Sequence, residues 1–222
     1  MKYKRIILLL IHALSLLFSN EDGKFTITRI QYDGGGDWYS DQSSIPNLLK
    51  FLDGNTDISI DLQERIAKIG EHAFNSSPYL YLTGHGNIKF SDKEAIILRN
   101  HLISGGFLHA DDNYGMDESF RIEMAKVFPD KDWVELPLKH KLFHCYYDFP
   151  NGLPKIHKHN DKRPQALGLF HEGRLAALYT YESDLGDGWE NERVHNNNQE
   201  VRDKALKMGT NIVIYSLMNY EE

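Results

Sequence analysis

Residues 78–115 read PYLYLTGHGNIKFSDKEAIILRNHLISGGFLHADDNYG. Tyr79-Leu80-Tyr81-Leu82-Thr83 is an apolar and aromatic run closed by Pro78 and Gly84, the composition of a buried parallel strand. Gly84-His85-Gly86 turns the chain, because glycine takes positive φ without steric cost. Ser91 with Glu94 three residues on is a capping box that starts a helix. Its apolar stripe is expected through Ile96, Ile97, Leu102 and Ile103. Gly105-Gly106 ends the helix, and Phe107-Leu108-His109-Ala110 is the next strand. Asp111-Asp112-Asn113 follows, then Gly115. Strand, helix and strand of this length make a right-handed βαβ unit, so the class is α/β with a mostly parallel sheet.

Ligands of open α/β sheets bind beyond the carboxyl ends of the strands. Gly84, His85, Gly86, Asp111, Asp112 and Asn113 are therefore expected side by side on one sheet edge as a ligand site. Plainer readings exist. His85 also suits a simple turn, and Asp111 or Asp112 suits the cap of a helix starting near Met116. One cap needs one side chain, so two caps is the poorer reading. Which aspartate faces the cleft stays open, because side chains alternate only while the strand continues.

Toward the N-terminus, Lys24–Tyr32 (KFTITRIQY) reads as the first strand. It runs into Asp33-Gly34-Gly35-Gly36-Asp37-Trp38-Tyr39, where no GK[ST] or GxGxxG follows to support a phosphate loop. The other reading is a flexible loop that lays Trp38 and Tyr39 over the site. Ser44-Ile45-Pro46 opens a helix to about Leu52, with proline in its first turn. Ile58-Ser59-Ile60 is expected as a short strand, and Gln63–Phe74 as an amphipathic helix through Ile66, Ile69 and Phe74.

Toward the C-terminus, Glu118–Phe128 reads as a helix stopped by Pro129, and Trp133–Leu136 as a strand. Asp148–Arg163 reads as an exposed excursion containing His157-Lys158-His159, two histidines with metal-binding potential that flexible loops seldom realise. Gln165–Phe170 and Arg174–Tyr181 form a hairpin through His171-Glu172-Gly173. A loop, Glu182–Trp189, then combines acid, glycine and tryptophan and adds Asp184 and Trp189 to the ligand-site candidates, beside Trp38. Glu200–Met208 is a helix, Gly209-Thr210 is expected to break or bend it, and Asn211–Tyr220 continues as an apolar helix in preference to a strand.

The first 20 residues differ from the rest of the 222. A basic Met1–Arg5 precedes an apolar run from Ile6 to Phe18, the pattern of a signal peptide, too short for a comfortable membrane span. Export to the periplasm or the extracellular space is expected, with no membrane span after cleavage; retention as an anchor is the alternative. Cleavage removes Lys2, Lys4 and Arg5 and no acid, which moves the formal charge from −7 to −10. That balance argues against nucleic acid and anionic membrane as partners. The single Cys145 forms no internal disulfide, so the core alone stabilises the fold. Eleven histidines point mildly to metal or proton chemistry.

YLTGHG, LRNHLISGGFLHADD, FRIEMAKVFP, HKLFHCYY, SDLGDGW and KALKMGTNIVIY, in this order, resemble the bacterial family known as domain of unknown function 4159, over nearly all of residues 24–220. That resemblance implies a fold similar to class I glutamine amidotransferases, a flavodoxin-like three-layer sandwich, as one domain over residues 21–222. In those enzymes a Gly-Gly, strand, Cys-x-Gly segment forms the nucleophile elbow. The matching segment here, Gly105–Gly115, has Asp111 or Asp112 where the cysteine stands. A carboxylate is a far weaker nucleophile than a thiolate, and Cys145 has no elbow around it, so glutaminase activity is not expected.

Three functions remain. The first is a non-enzymatic envelope domain that binds a small polar ligand or an envelope protein, with Asp112, His85, Trp38 and Trp189 lining the cleft. The second is a hydrolase, either metal-assisted through His85, Asp111, Asp112 and Asp184, or carboxylate-based with Asp112 as nucleophile or base beside His85. The third is a structural subunit of an envelope complex. A divalent metal is the only cofactor these residues suggest.

Overall fold

A computed structural model describes residues 23–218. The signal peptide expected over residues 1–20 lies outside the described residues. Seven strands are formed: β1 (Thr28–Ile30), β2 (Arg65–Ala67), β3 (Tyr79–Leu82), β4 (Phe107–Asp111), β5 (Val134–Glu135), β6 (Gln165–His171) and β7 (Arg174–Tyr181). They make one sheet in the order β2-β1-β3-β4-β7-β6-β5. The first five in that order run parallel, and β6 and β5 close the sheet antiparallel. The protein is thus α/β with a mostly parallel sheet.

Helices cover both faces, as a parallel sheet requires. The helices are α1 (Ser44–Asn55), α2 (His72–Asn75), α3 (Asp92–Ile103), α4 (Asp117–Val127), α5 (Leu185–Trp189), α6 (Glu192–His195) and α7 (Gln199–Met218). On one face Tyr79, Tyr81, Phe107 and Leu178 pack with Ile45, Leu48, Leu49 and Leu52 of α1, Trp189 of α5, and Met208, Ile212 and Tyr215 of α7. On the other, Leu80, Leu82, Leu108 and Ala110 pack with Phe74, with Ala95, Leu98 and Leu102 of α3, and with Phe120, Met124 and Val127 of α4. Alternate residues of β3 and β4 thus feed opposite cores, the period-two pattern of a strand.

The βαβ centre forms as the residues dictate. Ser91 Oγ accepts the Glu94 amide and the Glu94 carboxylate accepts the Ser91 amide, completing the capping box. The buried stripe of α3 differs from expectation: it is Ala95, Leu98 and Leu102, whereas Ile96 is 60% exposed. Four further segments differ. Residues 63–74 do not form one helix. Arg65–Ala67 pairs parallel with β1 at the sheet edge, and Gly70 at φ +93° separates it from the short α2. Ile58–Ile60 forms only an isolated bridge, Ile60 to Phe25. Residues 185–189, expected within a loop, are the helical turn α5. Finally, α7 runs unbroken through Gly209-Thr210. Gly209 is there for contact: a Cβ would stand 2.8 Å from Leu48 Cδ1 and 2.9 Å from Trp189 Cζ2. Thr210 Oγ1 satisfies itself on Leu206 O at 2.9 Å.

Candidate functional site

The strand order 2-1-3-4 places a topological switch between β1 and β3, where ligands of such sheets commonly sit. Here that crevice is filled. The glycine loop after β1 bridges to the segment after β3, with Lys89 N donating to Asp33 O at 2.7 Å and Gly36 N to Asn87 O at 2.9 Å. A Cβ on Gly34 would stand 2.7 Å from Asn87 O, so the glycine allows two backbones to touch. His85 belongs to this contact: its amide donates to Asp37 Oδ1 and its Nδ1 lies 3.1 Å from Asp37 Oδ2. Trp38 is half-buried and packs edge-on against Tyr39 at 5.5 Å.

Polar groups instead collect at the ends of β4 and β7. Asp111, the last residue of β4, is 1% exposed and fully engaged. Thr180 Oγ1 donates to its Oδ1; Gly186 N donates to Oδ2 at 2.7 Å and Tyr81 Oη at 3.4 Å. Behind it stands His109, fully buried, with Nδ1 3.0 Å from Tyr79 Oη and Nε2 3.0 Å from Thr180 Oγ1. Thr180 has one hydroxyl proton and gives it to Asp111, so it accepts from His109 Nε2–H, and Nδ1 accepts from Tyr79. The imidazole is neutral, since burial lowers its pKa to about 3. This chain of donors joins β3, β4, β7 and α5. Neither aspartate caps α4, whose N-cap residue is Met116. Asp112 turns toward β7, where its Oδ2 accepts Glu182 N at 3.2 Å.

A second group lies past the end of β7. Asp184 and Asp187 have side chains only 3% exposed, and three imidazoles reach them from above. His157 Nδ1 is 2.7 Å from Asp187 Oδ2, His159 Nε2 is 2.8 Å from Asp184 Oδ2, and His195 Nε2 is 3.2 Å from Asp187 Oδ1. Despite that last approach, His195 Nε2 and Asp187 Oδ1 lack hydrogen-bonding geometry, and Asp184 Oδ1 and Asp112 Oδ1 are also buried without a hydrogen bond. The backbone is strained here, with Glu182 at φ +58° and Asp184 at φ +57°.

The excursion that carries His157 and His159 is tied down rather than free. Ile156 N donates to Ser183 O at 2.9 Å, Ser183 Oγ donates to Pro154 O at 2.6 Å, and Lys155 Nζ and Asn160 Nδ2 donate to the Glu182 carboxylate at 2.9 and 2.8 Å. Tyr114 stacks on His159 with ring centroids 4.6 Å apart. Asp41 approaches from the loop after β1 and accepts Asn113 Nδ2 at 3.0 Å. Its backbone is held by Arg29, a 2%-exposed arginine that donates to Glu64 Oε2 at 2.9 Å and to the carbonyls of Ser40 and Asp41 at 2.8 and 3.1 Å.

Crowding of acids in a dry place raises their pKa values. Asp184 is pushed up to about 9 by burial, then by the charges of Asp111, Asp187, Asp112 and Asp41. Asp41 rises to about 8 through burial and then Asp187, Glu190 and Asp111, against the pull of Arg29. Burial takes Asp111 to about 7, held down by its hydrogen bonds, and Asp112 to about 6. Cys145 lies apart from this group, 3.3 Å from Asn211 O, and burial pushes its thiol up to about 12, so it offers no nucleophile.

Of the expected residues, Asp111, Asp112, Asn113 and Asp184 meet at this edge. His85 faces Asp37, and Gly84 and Gly86 serve the loop contact. Trp189 is fully buried under α7, its Nε1 donating to Ala205 O at 2.8 Å. Sequence reasoning missed Asp41, Asp187 and His195. The dense histidine content was the available signal for His195; Asp187 was hidden inside a segment read as a loop.

The family model described as domain of unknown function (DUF4159) matches residues 26–217, and the chain belongs to that family. No curated protein matches the chain. Among the described residues, no helix is long and apolar enough to cross a membrane.

Proposed function

We propose that this member of the family is an exported, non-glutaminase binding domain whose site, at the ends of β4 and β7, takes a small cationic ligand. The observation that carries the reading is the buried acid group with unbonded oxygens: Asp112 Oδ1, Asp184 Oδ1 and Asp187 Oδ1 have no hydrogen bond although their residues are 2–4% exposed. Buried polar atoms are almost always satisfied, and three unsatisfied carboxylate oxygens gathered in one place suit a positive partner. A positive ligand would relieve both the missing hydrogen bonds and the mutual repulsion. Support for export comes from the basic and apolar leader pattern at residues 1–20.

The hydrolase built on His85, Asp111 and Asp112 has less support. Both Asp111 oxygens are occupied, and the His85 ring pairs with Asp37. The experiment is a thermal melt with three probes: a polyamine, guanidinium at sub-denaturing concentration, and divalent cations. Wild type is expected to gain several degrees with at least one probe, and the Asp184→Asn/Asp187→Asn double variant to gain none. Equal responses of wild type and the variant to every probe would sink the reading.

A further inference from the structure

We infer that one trio of donors centred on His157, either with Asp187 and His195 or with His159 and Asp184, binds one divalent transition-metal ion of the zinc type. The inference rests on the cation-binding reading above and names its cation. Two trios overlap at this place: His157, Asp187 and His195, and His157, His159 and Asp184, with one donor atom per residue lying within 4.8 Å of the others in each trio. Both trios contain His157, so removing that imidazole takes a ligand from either. Imidazole and carboxylate atoms approach each other at 2.7, 2.8 and 3.2 Å. Two ligands bonded to one zinc at about 2.0–2.1 Å stand about 3 Å apart in four- or five-coordinate geometry. An ion therefore needs little rearrangement to enter.

The rival reading is a set of ordinary histidine–aspartate ion pairs. Three observations weigh against it. First, Asp184 Oδ1, Asp187 Oδ1 and His195 Nε2 are buried and make no hydrogen bond, although each belongs to a residue of the cluster. Second, the imidazoles crowd one another, His157 lying 4.4 Å from His159 and 5.9 Å from His195 between ring centroids. Rings packed this closely bring several nitrogen donors to one place. Third, the ligands are braced from behind: Tyr114 stacks on His159, Asn197 Nδ2 donates to Asp187 O at 3.1 Å, and the excursion is pinned to Ser183 and Glu182. Such support is what orients metal ligands. The exposed pair His144–Asp148 has no third donor and shows what an ordinary pair looks like.

Donor chemistry selects the ion. Two imidazole nitrogens with a carboxylate, the donor set of either trio, suit zinc, nickel, cobalt or iron, whereas magnesium and calcium want oxygen throughout. The imidazole side chains are 45%, 25% and 26% exposed above carboxylates at 3%, which leaves an entry path from solvent, and three protein ligands leave the fourth position of a tetrahedral ion free. A polar ligand would bind at that open position.

The test uses the full chain, expressed without a histidine tag and stripped with chelator. Calorimetric titration and melting curves are run with zinc, nickel, magnesium, calcium and spermidine, on wild type, His157→Ala, His159→Ala and the control His144→Ala. One zinc per chain, a rise of several degrees in Tm, a loss of affinity of tenfold or more in His157→Ala, a smaller loss in His159→Ala and none in His144→Ala is the expected result. Cobalt loading reports independently: its visible bands should lack thiolate charge transfer, and should vanish in His157→Ala. Zinc binding that His157→Ala leaves intact overturns the inference, and so does magnesium or calcium binding as tightly as zinc. Stabilisation by spermidine but not by zinc overturns the metal while the cation-binding reading stands; no response to any cation overturns both.

Discussion

Asp111 and Asp184 stand at the ends of two adjacent strands and are both buried, yet their surroundings differ in kind. Asp111 closes a directed chain of donors, Tyr79 to His109 to Thr180, and takes a backbone amide besides. Asp184 has one oxygen against His159 and the other against nothing, inside a ring of like charges. The Asp111 carboxylate is finished architecture. The β7 end is an unfinished one, held in a strained backbone. Burial alone does not separate a structural acid from a ligand-binding acid; satisfaction of its lone pairs does.

The largest expected effect is on the loop that brings Asp41 to the site. Arg29→Ala leaves Glu64 and the carbonyls of Ser40 and Asp41 without their buried donor, and should cost about 3–5 kcal/mol in urea unfolding. A loss below about 1 kcal/mol would show that the loop holding Asp41 is not anchored there. Asp111→Asn should follow, at about 2–3 kcal/mol, because hydrogen bonds to a charged acceptor are lost and an amide is pressed against donors. Gly209→Ala should cost about 1–3 kcal/mol by overpacking against Trp189 and Leu48. It should also weaken any cation response, because Trp189 ends the same helical turn that carries Asp187.

The most specific effect is a dependence on pH. Asp184 has its pKa raised in the folded state to about 9, from an ordinary 3.8. The folded protein therefore binds that proton more tightly than the unfolded chain, and linkage makes stability fall as pH rises between those two values. Melts from pH 5 to pH 9 should show wild type losing stability relative to Asp184→Asn across that window. Parallel curves would mean that the carboxyl group is solvated after all.

Much of this was legible in the sequence, and the gaps have physical causes. The capping box at Ser91 and the hairpin turn at Glu172-Gly173 are local signals, and local signals survive translation into structure. Residues 63–74 misled because Ile66, Ile69 and Phe74 fit a helical stripe, while the three-residue edge strand at Arg65 is fixed by pairing with β1, a partner distant in sequence. The site was half legible. Strand ends pointed to Asp111, Asp112 and Asp184, but His157 and His159 acquire their place only through Ile156–Ser183 and Lys155–Glu182, contacts nearly 30 residues apart. Composition reads that excursion as free; its long-range bonds make it a wall of the site.

The most direct test sets the two strand ends against each other: apo melting curves of Asp111→Asn and Asp184→Asn beside wild type, at pH 8 with chelator present. The account predicts opposite signs, Asp111→Asn melting lower and Asp184→Asn melting higher by a few degrees. If both variants melt lower, the acid at the β7 end is structural like its neighbour, and the claim that it is held for a cation is contradicted.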